Sequence, residues 1–148
     1  MCSFIGGARA VARIRGGSLA PNLFGEVRFY QRHRGVLVVA DISNLPQDGG
    51  SGFFALHVHT GGSCSGEEFG DTGGHYNPTG ALHPLHAGDL PPLMLSDGGA
   101  FLAVMTDRFS IEEIIGRTVV IHDGADDFRS QPSGNAGRKM ACGVIERR

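Results

Sequence analysis

Apolar and polar residues alternate with a period of two along the first third of the chain, the mark of strands that bury one face. In residues 8–15, ARAVARIR, the alternation places Ala8, Ala10, Ala12 and Ile14 on one side and Arg9, Val11, Arg13 and Arg15 on the other, which predicts a strand. Gly16 and Gly17 then turn the chain. The segment FGEVRFYQR, residues 24–32, alternates again, with Phe24, Val27 and Phe29 expected in the core and Glu26, Arg28 and Gln31 outside. His33, Arg34 and Gly35 read as a hairpin turn. A third strand, VLVVADISNL, runs over 36–45 and stops at the turn-forming cluster 46–52.

Residues 53–59, FFALHVH, read as the next strand, with His57 and His59 two apart and therefore on one face. Periodicity then disappears from Thr60 to Pro92. A loop of about thirty residues is uncommon in a compact domain unless it is functional or disordered, and a bound metal supplies a reason for order. Beyond it, residues 98–109 predict a strand, 110–118 a loop or short helical turn, and 119–123 a strand. Residues 123–139 form a second loop, and 140–146 a closing strand. Seven or eight short strands with two long functional loops predict an all-β chain, an immunoglobulin-like Greek-key sandwich or flattened eight-stranded barrel. One domain spanning residues 1–148 is expected, because nothing in composition divides the chain.

Composition narrows the picture further. Twenty-four glycines, seven prolines and no tryptophan suit turns better than long helices. A formal net charge of -2, without a dense basic cluster, excludes the footprint of a nucleic-acid-binding protein. No apolar run reaches transmembrane length, and charges interrupt the start where a signal peptide would be continuous. The expected compartment is cytoplasmic if Met1 is the natural start and exported otherwise. Three cysteines, Cys2, Cys64 and Cys142, allow one disulfide and one leftover thiol, and their spacing matches no zinc finger.

The chemistry concentrates in Leu56–Asp89, which holds five of the seven histidines; His122 stands apart in TVVIHDGADD. Histidine is the commonest metal ligand at neutral pH, and this cluster offers too many donors for one tetrahedral site. Two metals are the simpler reading. His57 and His59 would take one ion with His122, while His83, His86 and Asp89 would take another; His75 lies between the groups in sequence. All-nitrogen sites of roughly tetragonal shape suit copper(II), and three imidazoles with a carboxylate suit zinc. One redox metal and one structural metal follow.

The motifs HVH at 57–59, GGHYNPTG at 73–80, HAGDL at 86–90, IIGRTVVIHDGADD at 114–127 and GNAGRKMACGVI at 134–145 resemble the copper/zinc superoxide dismutase family over nearly the whole chain. The resemblance implies copper on His57, His59, His75 and His122, and zinc on His75, His83, His86 and Asp89, with His75 as the bridge. It implies that Asp126 links a copper histidine to a zinc histidine by hydrogen bonds, and that Cys64 and Cys142 form a disulfide, leaving Cys2 free. The implied reaction disproportionates superoxide to oxygen and hydrogen peroxide, with His75 releasing copper and carrying a proton. The implied substrate is a small anion, so a cation beside copper should dock it. A symmetric homodimer is the base-rate expectation, and neither nucleic acid nor membrane is an expected partner.

The chain departs from the family where it usually has the docking arginine: Lys139 stands there, with Arg138 immediately before it and Ser133 where the family often has threonine. Lysine keeps the charge and loses the planar fork. Only two residues separate His83 from His86, and the loop from His122 to Lys139 is short, with Arg129 as its only other base before Arg138. The alternative function is copper binding or buffering on the same fold with little or no turnover, favoured by Lys139 alone. A zinc hydrolase ranks last, since no glutamate sits beside the ligands as a general base. His33 reads as a solvated turn histidine, Asp71 and Asp123 as turn residues, Glu67 and Glu68 as a solvated loop edge, and the paired glycines at 61–62 and 73–74 as hinges.

Overall fold

A computed structural model describes residues 6–47 and 50–148, so Cys2 lies outside the described residues. The described residues form nine strands: β1 Ala10–Gly16, β2 Phe24–Arg32, β3 Gly35–Ser43, β4 Phe53–Phe54, β5 Leu56–His59, β6 Leu93–Met94, β7 Ala100–Thr106, β8 Thr118–His122 and β9 Lys139–Arg147. Seven of them make one antiparallel sheet in the order β5-β8-β9-β1-β2-β3-β7, and β4 pairs with β6 apart from it. The placing of β9 beside β1 and of β7 beside β3 gives Greek-key connections, as the all-β expectation required. Among the described residues helix is confined to one turn, α1 at Ile111–Ile114, and a 3-10 segment at Glu67–Thr72. Among the described residues no helix is long and apolar enough to cross a membrane.

The core follows from the alternation. Ala10, Ala12 and Ile14 of β1, Val27 and Phe29 of β2, and Val36, Val38, Ala40 and Ile42 of β3 are all buried on the inner face. Phe24 corrects the expectation: its parity groups it with Glu26 and Arg28, and it is 46% exposed on the outer face. Val11 also differs, being 3% exposed although it shares the arginine side of β1. The stretch 53–59 is two strands instead of one, because Phe53 and Phe54 pair with Met94 and Leu93 while Leu56–His59 pair with β8. The helical turn after residue 110 begins with a capping box between Ser110 and Glu113, which satisfies two otherwise unpaired N–H groups.

The edge of β5 positions the long loop. Val58 donates its N–H to Gly88 O, Tyr76 donates to Val58 O, and Thr60 donates to Gly74 O, at 2.8, 2.8 and 2.9 Å. The loop therefore occupies the ladder positions that an edge strand would otherwise expose. Gly88 is required for this approach, since a Cβ there would lie 2.2 Å from Val58 O. The Cys64–Cys142 disulfide, as the resemblance implied, ties the same loop to β9 with Cα atoms 5.8 Å apart.

Candidate metal centre

Leu56 and Val58 face the core, so strand alternation sends His57 and His59 to the opposite face, beneath the loop. Backbone bridges bring two loop residues to these histidines: His57 pairs with Asp89 and His59 with His75. His122 ends β8, where the register against β9 slips by one residue: Ile121 faces Ala141, but His122 faces Lys139. An unbroken ladder would have put Met140 there. The slip sets Lys139 opposite His122, and irregularities of this kind commonly re-aim a side chain beside functional sites.

Two groups of four residues hold their donor atoms within 4.8 Å of one another: His57, His59, His75 and His122, and His75, His83, His86 and Asp89. These are the two expected sets, and all seven residues are buried. His75 belongs to both; its ring centroid lies 3.9 Å from that of His57 and 5.2 Å from that of His86.

The far nitrogen of most of these rings is already engaged. His57 Nε2 and His83 Nε2 bond the two oxygens of Asp126, at 2.8 and 2.7 Å. His59 Nδ1 bonds Gly73 O at 2.8 Å, and His122 Nδ1 reaches Gly137 O at 3.4 Å. Asp126 thus links the two groups and fixes two rings, as metal sites require of their outer partners. A third close group, His57, His83 and Asp126, is this link. Gly134 gives it room: a Cβ there would sit 2.1 Å from Asp126 Oδ1, and the residue holds φ of +72°.

What remains points inward. His57 Nδ1, His75 Nε2 and His83 Nδ1 are buried without a hydrogen-bond partner, a costly state for a polar atom unless another ligand satisfies it. His83 Nδ1 lies 2.9 Å from Asp89 Oδ2 yet is not aligned as a hydrogen bond. Such an approach is that of two donors converging on a common point. His59 Nε2 and His122 Nε2 approach to 3.3 Å, and His75 Nδ1 stands 2.8 Å from Asp89 Oδ1 and 3.2 Å from His86 Nδ1. Four nitrogens on one side, and three nitrogens with one carboxylate on the other, fit copper and zinc respectively.

Protonation favours the same use. Burial pushes the His59 imidazole down to about 2 and the His122 imidazole to about 3, with the neighbouring histidines adding to the effect. Burial also lowers His57 and His86. Burial opposes ionisation of Asp126, but hydrogen bonds from His57 and His83 outweigh it and hold the carboxyl below its usual range. Asp89 is lowered likewise, burial being overcome by His75 and the neighbouring rings. Neutral imidazoles and ionised carboxylates are the ligating forms.

Lys139 is half-buried, and its Nζ donates to Thr72 Oγ1 at 2.8 Å and to Gly73 O at 3.0 Å. Arg138 points elsewhere: its exposed guanidinium bonds Asp123 Oδ2 at 2.9 Å, and Asp123 also accepts from the Arg138 N–H. Asp123 is therefore more than a turn residue. No spacing or periodicity in the sequence marks Thr72, Gly134 or Gly137, and Gly73, a hinge by its sequence, also supplies an acceptor carbonyl.

An antiparallel Greek-key fold carrying two adjoining ligand sets with one shared imidazole defines a class of binuclear metalloprotein. A family model described as copper/zinc superoxide dismutase (SODC) matches residues 23–145, and the chain belongs to that family. It is 34% identical over 137 residues to superoxide dismutase [Cu-Zn] 1 of Aquifex aeolicus (strain VF5), covering 82% of this chain and 79% of that protein. Against superoxide dismutase [Cu-Zn] of Photobacterium leiognathi the identity is 31%, over 82% of this chain and 78% of that one. The Cu/Zn superoxide dismutase from Brucella abortus has a similar solved structure, with a TM-score of 0.76, 29% identity, and coverage of 93% of this chain and 99% of that chain.

Proposed function

We propose that the protein is a copper/zinc superoxide dismutase, holding copper with His57, His59, His75 and His122 and zinc with His75, His83, His86 and Asp89. The observation that carries this reading is the set of buried, unpartnered ring nitrogens of His57, His75 and His83, distributed over both ligand sets with His75 between them. When bound, copper supplies one-electron exchange with superoxide and zinc supplies fixed positive charge.

The reaction converts two superoxide anions and two protons into one oxygen and one hydrogen peroxide. His75 serves it by holding a proton at Nε2 when that nitrogen is not ligating and giving it to the departing peroxide. Its Nδ1 stays on the Asp89 side throughout. Asp126 keeps His57 and His83 in the tautomers that leave Nδ1 free. Lys139, opposite His122 in the ladder, draws the anion to the histidine face. The pairing of Arg138 with Asp123 supports Lys139 over Arg138 in this role.

A copper-buffering protein would have no use for a cation at Lys139, so its position favours turnover. Superoxide disproportionation by the copper- and zinc-loaded protein, with metal content determined on the same sample, tests the reading. Fast turnover at about one copper and one zinc per chain is the outcome expected of these two four-ligand sets. Negligible turnover with both metals bound would favour the buffering protein.

A further inference from the structure

We infer that Thr72 is a positioning residue that fixes the ammonium of Lys139 for the anion, the task a guanidinium performs with its own planar fork. The inference rests on the reading of Lys139 as the docking cation.

Thr72 is fully buried, and its hydroxyl donates to Phe69 O at 2.8 Å. A hydroxyl has one proton to give, so toward Lys139 Nζ, 2.8 Å away, Thr72 Oγ1 can only accept. Gly73 O supplies the second acceptor at 3.0 Å, and the same carbonyl holds His59 Nδ1. Two of the three ammonium protons are thus directed into the loop, and the third is left for a ligand. A lysine alone is a mobile point charge on a flexible stem. Two fixed acceptors restrict it.

The acceptor is itself built in. Glu68 and Phe69 adopt left-handed backbone, with φ of 48° and 59°, which carries Phe69 O round to Thr72. The Phe69 ring lies against Gly17, where a Cβ would meet it at 2.8 Å. Strain of this kind persists where surrounding structure enforces it. Here the enforced product is the orientation of a single hydroxyl.

The test uses the copper- and zinc-loaded protein and azide as a probe anion. Thr72→Val removes the hydroxyl while keeping the shape of the side chain. It should lower the dismutation rate constant and weaken azide binding by the same factor of about 3 to 10, the worth of one hydrogen bond. The slope of rate against ionic strength should not change, because the charge remains. Thr72→Ser should recover most of both losses; Thr72→Ala provides the same comparison if valine distorts the turn. In a Lys139→Met background, Thr72→Val should change either quantity by less than about two-fold. An equal loss in both backgrounds, or no loss beside Lys139, would overturn the positioning role. If Lys139→Met alone leaves rate and azide affinity intact, the docking role of Lys139 fails instead.

Discussion

The two sides of the metal centre are held by different means. On the proposed copper side, His57 and His59 project from β5 and His122 from the end of β8, so three of four donors sit on paired strands. On the proposed zinc side, His83, His86 and Asp89 come from a stretch without strand or helix, held by hydrogen bonds and by Asp126. Sites on regular elements are more precisely built than sites on loops. The strand-held side should therefore keep its shape without metal, whereas the loop-held side depends on its outer partners. His75 joins the strand-held part to the loop-held part.

The largest expected effect comes from cutting the strand-held side. His122→Ala should reduce dismutation at least about 100-fold while zinc stays bound, which activity and metal analysis on one sample would check. Retained activity would remove copper from that group. Next, Asp126→Asn should expose the asymmetry, because an amide oxygen and an amide nitrogen cannot both accept from His57 and His83. Zinc affinity should fall about 10- to 100-fold and copper affinity less, as competition with a chelator would measure. An equal loss on both sides would break the comparison.

Acid should act on the metal-free protein through the buried rings. His59 and His122, at about 2 and about 3, titrate far below the ordinary histidine value of 6.5. Below pH 6.5 the unfolded chain binds protons that the folded state refuses, so stability is full above that pH and declines as pH falls toward the folded values. Each ring contributes a slope of up to about 1.4 kcal/mol per pH unit. Denaturant titrations of the metal-free protein between pH 7 and pH 4 should show this fall, and a flat profile would contradict neutral burial. The smallest effect is expected of Lys139→Arg, a rise of about two- to three-fold in rate as a fork replaces a point charge. An unchanged rate would turn attention to Arg138.

Much of the strand-held half was legible in the sequence. Val27 and Phe29 fell on the core face as their period predicts, and the HVH spacing put two ligands on one side of a strand. Phe24 did not, because apolar character was read in place of parity. The break at Ala55 was hidden because Phe53 and Phe54 find partners about forty residues downstream, at Leu93 and Met94. The choice between Arg138 and Lys139 depended on a one-residue slip beside His122, and register belongs to paired strands, not to either sequence alone. Thr72 was invisible for a similar reason: its partner lies 67 residues away, and nothing in a lone threonine announces an acceptor. The loop-held ligands were legible as a close cluster of donors in sequence, while the sharing of His75 between both sets came only through family motifs, since no periodicity places a loop histidine between two ions.

The central claim is that two different ions lie on either side of His75. Anomalous diffraction from crystals of the copper- and zinc-loaded protein, collected at the absorption edge of each metal, tests it most directly. The expected result is copper alone among His57, His59, His75 and His122, and zinc alone among His75, His83, His86 and Asp89. One ion only, or both elements mixed over both positions, would contradict it.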